Sequence, residues 1–538
     1  MKKVFTMLSL LFMLSLLFVV SGCNNQESVS DEEATADKIP QKIIYNCVES
    51  ASYDPIRHEN SGEVVYHMFE GVYTYAEGKV VLGQAKSVDV SADGLTYTIT
   101  LRDDISWSDG KPVIAADFVD AWIRTLTPAT AAKYVHNMYC IEGAEAYNKG
   151  EGNVEDVGIN LVDEKTFTVK LVAPSICFDE VLANITFMPV RMDIVEQYGE
   201  SWSLDPDSCI GNGPFKMDSY TVGEKMTLSK SETYYNADQI KLDTLEIRFI
   251  TDSSVELMAY KNNDIQIAIL PTADICAQYP DEAIFAPKLS CMWLIINTQD
   301  DVLKDVRVRQ ALSMAIDRQS ICENIIGGGV TPAYSIVPEA SVDLTNGKRF
   351  IDVEEPYFKE DVAAAQQLLA DAGYPGGEGF PEIIYGTSSN TDYENTAQAI
   401  ASWWKENLGI TCNIQVEDSS TFIAHRKEKG HFDVARYTIG GSYSDPLAML
   451  AYYKSTDSNN DSYFNNAEYD QLLNDVRTVV DPKERFAIYH QLDRILMENM
   501  AVIPLYYPTA KYLSKSNIEG IYVTPIGCLE FKSAYVTE

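Results

Sequence analysis

The chain has 538 residues, of which 42 are Lys or Arg and 79 are Asp or Glu, so its formal net charge is −37. Because 46% of the residues are hydrophobic and 11% are aromatic, the chain can bury a large core and is not a disordered protein. An acidic surface of this size repels phosphate groups, which argues against nucleic acids and anionic membrane surfaces as partners.

The first 23 residues have the pattern of a secretory signal peptide. Two lysines precede an uncharged apolar run over residues 4–20, which is the expected order of such a segment. A membrane anchor at the N-terminus is the alternative, because about 17 apolar residues is close to the shortest stretch that spans a bilayer. Ser21 and Gly22 directly before Cys23 resemble the bacterial lipobox. We therefore predict that residues 1–22 are removed and that Cys23 carries lipid.

The residues after Cys23 have the composition of a tether. Residues 24–38 contain several carboxylates and no aromatic residue, so they have little to bury and stay in contact with water. We predict a flexible acidic tether over residues 23–40. Together with the lipid, it would hold the protein at the extracytoplasmic face of the cell membrane.

The cysteines and histidines show no metal or disulfide pattern. Nine of the ten cysteines follow Cys23, and none of them forms a C-x-x-C pair. An odd number at irregular spacing gives no disulfide framework, so we expect small buried hydrophobic side chains. The six histidines include no H-E-x-x-H motif, and no Cys/His cluster has zinc spacing. We predict no metal site and no cofactor.

Predicted strands and helices alternate along the rest of the chain. A period of two in the apolar residues predicts a strand over residues 95–101, and Phe118, Ala121 and Trp122 share one face of the next predicted helix. Asp305 is predicted to cap a helix, because apolar residues recur after it at helical spacing. The other predicted elements are strand 293–297, helix 361–371, strand 383–385, helix 393–408, strand 411–416, helix 484–499 and strand 502–507. This alternation predicts an α/β protein with mostly parallel sheets.

Common catalytic motifs are absent. The sequence contains no G-x-x-x-x-G-K-[ST] phosphate loop and no G-x-S-x-G nucleophile elbow. Two glycine-rich sites, residues 211–213 and 327–329, lack dinucleotide-binding spacing and are interpreted as turns. A pair of carboxylates can still serve a hydrolase, but exposed carboxylates are the norm in so acidic a chain. We predict that the protein is not an enzyme, with a secreted hydrolase as the alternative.

Six segments between residues 52 and 513 resemble, in order and spacing, the oligopeptide- and dipeptide-binding proteins of ABC importers. The most specific is W-S-D-G-x-P-x-x-A-x-D-F, which occupies residues 107–118 within the 93–122 segment. The others are SYDPIRHENSGEVVYHMFEG (52–71), GNGPFKMDSYTVGEKMTLSKSETYYN (211–236), DVRVRQALSMAIDR (305–318), FDVARYTIGGSYSDP (432–446) and AVIPLYYPTAKYL (501–513). One such match can arise by chance, whereas six in the right order cannot.

The resemblance implies a two-lobed α/β fold like that of periplasmic binding proteins (type II, cluster C), with a hinge and an extra subdomain. It implies lobe I over residues 41–73, 190–288 and 511–538, the subdomain over 74–189, and lobe II over 289–510. A ligand held between the lobes would favour the closed form, which a membrane permease then recognises. The implied partners are a peptide or peptide-like solute, the ABC permease with its ATPase subunits, and the membrane through the lipid on Cys23. The protein is expected to be a monomer.

In this family the stretch after F-D-V-A-R runs along the bound peptide. The resemblance therefore implies a backbone-pairing segment made of Tyr437, Thr438, Ile439, Gly440 and Gly441. Its two glycines would let a ligand approach the chain closely. The family usually has an Asp that pairs with the peptide's α-ammonium, and Ser442 stands at that position. A serine can accept a hydrogen bond but brings no countercharge, so a non-peptide solute is the alternative ligand.

Four further residues are candidate ligand contacts. By the resemblance, Arg436 can face the carboxylate end of a peptide, with an ion pair inside lobe II as the alternative. Glu59 and Tyr393 resemble positions that contact ligand side chains, with plain solvent exposure as the alternative. Trp293, on a strand near the hinge, can face the cleft or belong to the core. Asp445, which precedes a proline, is interpreted as a turn residue.

Overall fold

The computed structural model describes residues 39–58, 62–441 and 443–538. Within these ranges, no helix combines the length and the apolar character that crossing a membrane requires. The predicted signal peptide, Cys23 and the predicted tether up to residue 38 lie outside the described residues, as do Glu59 and Ser442. What the sequence predicts for them stays a prediction.

A seven-stranded mixed sheet forms the first lobe. Its strands, in spatial order, are Ala283–Pro287, Thr509–Ser514, Ile267–Ala268, Lys42–Asn46, Thr244–Arg248, Lys225–Lys230 and Phe215–Thr221. Lys42–Asn46 is parallel to both of its neighbours, and the other pairs are antiparallel. Tyr260, Ile265 and Leu513 belong to a buried cluster that packs helices Ser253–Lys261 and Ala273–Gln278 on this sheet.

A four-stranded antiparallel sheet forms the subdomain inserted in this lobe. Its order is Ala85–Val90, Thr96–Leu101, Thr166–Lys170, Ile159–Leu161. Helix Ala115–Leu126 buries Phe118 and Trp122 against Phe167, with ring centroids 5.6 and 5.3 Å apart. Arg124 on the same helix pairs at 2.6 Å with the fully buried Asp54. This ion pair fastens the subdomain to the N-terminal part of the lobe.

A six-stranded mixed sheet forms the second lobe. Its order is Thr331–Pro332, Val502–Tyr507, Ser290–Ile296, Val434–Gly440, Ile383–Ser388, Cys412–Glu417. The first three pairings are antiparallel and the last two are parallel. The core on one face is shared with helices Val306–Met314, Val362–Asp371 and Thr391–Leu408. The core on the other face is shared with helices Ser419–Arg426, Ala467–Asp475 and Pro482–Glu498.

Shorter elements complete the described part of the chain. The helices are Gly62–Met68, Ala144–Asn148, Phe178–Leu182, Met192–Tyr198, Arg318–Ser320 and Leu447–Leu450. The strands form small hairpins or pairs: Tyr73–Ala76 with Lys79–Leu82, Val342–Asp343 with Lys348–Arg349, Ile518–Glu519 with Tyr535–Val536, and Tyr522–Val523 with Leu529–Glu530.

The chain crosses between the two large sheets at two places. Ala283–Pro287 of the first lobe leads into Ser290–Ile296 of the second, and Val502–Tyr507 of the second leads into Thr509–Ser514 of the first. Within each sheet the two crossing segments are antiparallel partners, so together they form one ribbon through both lobes. The ribbon is interrupted at residues 288–289 and at Pro508, which has no N–H to donate. These two interruptions form the hinge.

Most predicted elements occur close to their predicted bounds. The Val502–Tyr507 strand has the predicted limits, and Asp305 caps Val306–Met314 by accepting a hydrogen bond from Arg307 N at 2.9 Å. The nine described cysteines are free, and each is buried or half-buried. The prediction of mostly parallel sheets was wrong, because the ribbon and hairpins such as Phe215–Thr221 with Lys225–Lys230 are antiparallel. Strands joined by short turns have no room for the crossover that parallel pairing needs.

Asp493, in the Pro482–Glu498 helix, carries a buried carboxyl group. It is 4% exposed and accepts a hydrogen bond from Ser335 Oγ at 2.8 Å. Burial raises the pKa of this carboxyl to about 7. The folded state therefore keeps its proton to a higher pH than the unfolded state does. The stability linked to that proton is complete below the ordinary carboxyl pKa of about 4 and is lost as the pH rises through about 7.

Asp493→Asn keeps this position neutral at every pH. We expect its gain in unfolding free energy over the wild type to be small near pH 4 and to reach roughly 4 kcal/mol above pH 7, since one pKa unit corresponds to about 1.4 kcal/mol. Urea unfolding across this pH range measures the difference. Asp207→Asn, at an exposed position, is the control and should show little change. A gain that does not depend on pH would contradict the assignment to Asp493.

Candidate functional site

A pocket of about 430 Å³ lies at the hinge. The two breaks in the ribbon supply Lys288, Leu289 and Pro508 to its wall. The adjoining strand residues add Ser290, Met292, Tyr506, Thr509 and Lys511, and the rest of the wall comes from Ile326, Val330, Asp392, Tyr393, Ile526 and residues 438–441. Because both lobes and both crossings contribute to the wall, a ligand in this pocket would contact both lobes at once.

Strand alternation decides which side chains reach the pocket. In the pair formed by Ser290–Ile296 and Val434–Gly440, Met292 is opposite Thr438, and Trp293 is opposite Tyr437. Successive side chains point to opposite faces of a sheet. Met292 and Thr438 line the pocket, whereas Trp293 and Tyr437 lie in the core behind the sheet, with ring centroids 4.9 Å apart. The structure thus places the Trp293 side chain, which is fully buried, away from the cleft.

The backbone of the Val434–Gly440 strand has an open edge beside the pocket. The neighbouring Ile383–Ser388 strand pairs with it only at Val434 and Ala435, and no other described strand takes that edge. On the other side, Gly441 N donates to Leu289 O at 2.6 Å. Antiparallel hydrogen bonds alternate in direction, so the N–H and C=O groups of Thr438 and Gly440 point to the open edge.

Gly440 has space around it. A Cβ atom built there would meet no heavy atom nearer than Leu289 O, at 4.0 Å. Packing therefore does not require glycine at this position. What glycine provides is access, because a ligand backbone can approach the strand without meeting a side chain.

Helix Thr391–Leu408 brings two further residues to the pocket. Asn390 caps the helix by accepting hydrogen bonds from the backbone N–H groups of Asp392 and Tyr393 at 3.0 and 3.3 Å. The Tyr393 ring stacks on the guanidinium of Arg436, with Cζ 4.0 Å from the ring centroid. Arg436 also donates to Ser388 Oγ, and burial lowers its pKa. Among the described residues no carboxylate forms an ion pair with Arg436, so the ion pair inside lobe II is not seen there.

Three charged side chains line the pocket. Lys288 and Lys511 come from the hinge region, and Asp392 lies in the first turn of its helix. The helix dipole favours a negative charge at that end, which is sufficient reason for an Asp in the fold. Facing a pocket that also holds two lysines, however, Asp392 gives the site both signs of charge. The pocket is therefore suited to a zwitterion.

The segment after the pocket strand contacts the subdomain. Ser444 N and Ser444 Oγ both donate to the carboxylate of Glu180, at 2.5 Å each. Asp445 is buried, and its side chain accepts hydrogen bonds from Leu447 N at 2.8 Å and Tyr489 Oη at 3.0 Å. The bond from Leu447 is the geometry of a turn residue before proline. Burial raises the pKa values of both carboxyl groups.

The predicted site residues fall into three groups. The first group lines the pocket and consists of Tyr393, Thr438, Ile439, Gly440 and Gly441. The second group does not line it: Arg436 lies behind Tyr393, and Tyr437 and Trp293 are in the core. The third group, Glu59 and Ser442, is outside the described residues. No sequence pattern singled out the hinge residues 288–289 and 508 as part of the site. A signal was present in Pro508, which interrupts a run of strand-forming residues within the 501–513 segment. The pattern predicts a break there, but not that the strand continues into a second sheet.

Comparisons with known proteins agree with this architecture. The sequence model described as bacterial extracellular solute-binding proteins, family 5 middle, matches residues 79–461. The oligopeptide-binding protein OppA of Bacillus subtilis (strain 168) is 31% identical over 489 residues, 88% of each chain. The probable deoxycholate-binding periplasmic protein YgiS of Escherichia coli (strain K12) is 30% identical over 503 residues, 91% of this chain and 92% of its own. The unliganded open form of MppA, a periplasmic murein tripeptide-binding protein, superposes with a TM-score of 0.80 at 30% identity, covering 92% of this chain and 97% of MppA.

Ser444→Ala removes one of the two donors to Glu180. We expect a loss of about 1 kcal/mol in unfolding free energy at pH 8, because the half-buried carboxylate of Glu180 then loses a hydrogen bond. Since burial raises the pKa of Glu180, more of this group is neutral at pH 5, and the loss should be smaller there. Urea unfolding at both pH values tests this, with Ser420→Ala at an exposed position as control. Equal losses in the two variants would rule out a structural role for the Ser444 hydroxyl.

Proposed function

Because the chain belongs to the bacterial extracellular solute-binding proteins of family 5, we propose that it captures peptides between its lobes and delivers them to an ABC importer. The observation that carries this proposal is the open backbone edge at Thr438 and Gly440, which borders the pocket at the hinge. Members of the family are binding proteins rather than enzymes, and the proposed role needs no chemical step.

An extended peptide can pair with the open edge as an added strand. Hydrogen bonds to the N–H and C=O groups of Thr438 and Gly440 would use only the peptide's backbone, so they would not depend on its sequence. A pocket of about 430 Å³ is within the usual size range of small-ligand sites, and water can fill what a small side chain leaves empty. These features support a receptor that accepts many peptides.

Charged groups would orient the peptide. We propose that Asp392 takes the α-ammonium and that Lys288 and Lys511 attract the carboxylate, because these three side chains line the pocket. Arg436 would remain a second partner for the carboxylate end through movement of Tyr393, which covers its guanidinium. In this arrangement Asp392 supplies the countercharge that Ser442 cannot provide.

The hinge gives the protein its clamp action. The lobes are joined at residues 288–289 and 508, and a ligand that touches both lobes binds the closed form more tightly than the open one. The strand memberships of the three larger sheets support the proposed division into lobe I, subdomain and lobe II. Thr509–Ser514 belongs to the sheet of lobe I, so the proposed boundary moves from residue 511 to 509.

The lipid on Cys23 and the tether over residues 23–40 would keep this clamp at the extracytoplasmic face of the cell membrane, near the permease and its ATPase subunits. The family's description as extracellular supports this location. Two acyl chains suffice for stable anchoring. One monomer would carry one peptide.

A thermal unfolding experiment tests the proposal. The chain lacking residues 1–22 is mixed with a peptide library, with free amino acids, or with deoxycholate. We expect only the peptides to raise the melting temperature, since ligand at about 100 times its Kd adds roughly 2.7 kcal/mol of stability. Mass spectrometry of the recovered peptides should show them intact. Cleavage would favour a hydrolase, and a shift with deoxycholate alone would favour a non-peptide solute.

A pair of variants tests which residue meets the α-ammonium. Asp392→Asn should weaken binding of peptides with a free N-terminus by about tenfold, or 1.4 kcal/mol, and leave N-acetylated peptides unaffected. Ser442→Asp should tighten binding of free peptides more than of acetylated ones. Calorimetry with matched peptide pairs measures both effects, with Asp207→Asn as the control. Equal effects of Asp392→Asn on the two peptides would contradict its role.

A further inference from the structure

Lobe II carries a cluster of metal-ligand side chains away from the pocket. Glu417 ends the Cys412–Glu417 strand, His425 lies in the last turn of the Ser419–Arg426 helix, and His431 lies in the loop that follows. One ligand atom from each residue lies within 4.8 Å of the other two. None of the three residues lines the pocket, so the cluster is separate from the proposed peptide site.

Both imidazoles face the same carboxylate oxygen. His425 Nδ1 is 2.8 Å from Glu417 Oε1, and His431 Nε2 is 3.9 Å from it. The two rings are stacked with centroids 4.1 Å apart and an interplanar angle of 27°. Zinc binds His nitrogen and carboxylate oxygen at about 2.0–2.2 Å, which places neighbouring ligand atoms about 3 Å apart. The cluster therefore needs only a small inward shift of His431 to surround one ion.

The second carboxylate oxygen of Glu417 gives a separate argument for a bound cation. Glu417 Oε2 is buried, and within the described part of the chain it has no hydrogen-bond partner. A buried acceptor without a partner destabilises the fold, and more so when it is charged. A cation at this carboxylate would remove that cost.

A second carboxylate lies beside His431. The Nδ1 atom of His431 is 3.4 Å from Glu428 Oε2, which is the distance of an ion pair. A proton on Nδ1 leaves the lone pair of Nε2 free for a metal ion, and this second carboxylate is the usual support of a metal-binding histidine. The side chains are 17%, 35% and 30% exposed for Glu417, His425 and His431, so an ion can enter from solvent.

The backbone holds these residues in place without an ion. Ser389 N donates to Glu417 O at 2.7 Å, Glu428 N to His425 O at 2.9 Å, and His431 N to Glu428 O at 3.1 Å. The next residue, Phe432, packs on the backbone of Gly386, where a Cβ atom would lie only 2.6 Å from its ring. The loop is thus fixed at both ends, and the ligand atoms are already close together.

We propose that Glu417, His425 and His431 bind one divalent transition-metal ion, zinc being the ion that such a donor set suits. Two imidazole nitrogens and one carboxylate oxygen are typical zinc ligands, whereas calcium and magnesium prefer oxygen alone. Because these side chains are only partly buried, water could complete the coordination. The ion would join the end of the strand, the helix and the loop into one unit.

Zinc binding to the full chain without a histidine tag tests the proposal. Equilibrium dialysis with metal analysis at pH 7.5 should give one zinc per chain and no binding of magnesium or calcium. His425→Gln and His431→Gln should each weaken zinc binding at least about tenfold, because even the loss of a group that supports a ligand costs that much. His136→Gln, which changes an exposed histidine of the subdomain, should leave binding unchanged. Glu417→Gln keeps both imidazoles and should weaken binding as well.

Two further measurements distinguish the loss of a metal ligand from the loss of folding. Zinc should raise the melting temperature of the wild type and of His136→Gln but not of His431→Gln, and circular dichroism shows whether each variant folds. Cobalt in place of zinc should give a visible absorption band that the His425→Gln and His431→Gln variants lack. Peptide binding should be unchanged in both. Absence of zinc binding up to about 100 µM, a free energy of only about 5.5 kcal/mol, or equal binding in all variants would overturn the proposal.

Discussion

The antiparallel ribbon that runs through both lobes is the constraint on which the rest of this molecule depends. Its two segments are hydrogen-bonded to each other in the first sheet and again in the second, so each lobe is anchored to the other by strands of its own core. Between the sheets the pairing stops at residues 288–289 and at Pro508. The molecule can bend there without breaking a core, and the pocket opens at the same place. Flexibility and ligand access therefore have one structural origin.

The Val434–Gly440 strand, next to this ribbon, packs in the core on one side and borders the pocket on the other. On one face of Val434–Gly440, Tyr437 packs with Trp293 in the core; on the other, Thr438 reaches the pocket. One edge of the strand is fully paired with Ser290–Ile296, while the other is open beyond Ala435. The rigid side keeps the open side in position, which is what a backbone-reading site requires. The proposed metal site lies outside the cleft and includes His431, in the loop just before this strand.

Local patterns in the sequence predicted most elements, because helix caps and hydrophobic periods act within a few residues. Asp305, for example, caps its helix as predicted. Trp293 shows what local patterns cannot predict. A tryptophan on an apolar strand near a hinge can lie in the core or face the cleft, and pairing with the partner strand decides which. The proposed metal site is a second feature that local patterns do not predict, because the spacing of Glu417, His425 and His431 matches no known metal-binding motif. They meet because the Ser419–Arg426 helix and the loop after it bring both histidines back to the end of the Cys412–Glu417 strand.

By itself the sequence determined the class of the protein: its acidic surface, its export pattern, its helices and strands, and the ordered motifs of a solute-binding family. These follow from composition and from neighbours along the chain. The tertiary structure decided which edge of a strand stays open, which side chains face the cleft, and where the lobes can bend. It also brought Lys288, Asp392 and Lys511 to one pocket. Such features depend on contacts between distant segments, and no local pattern records which segments will pair.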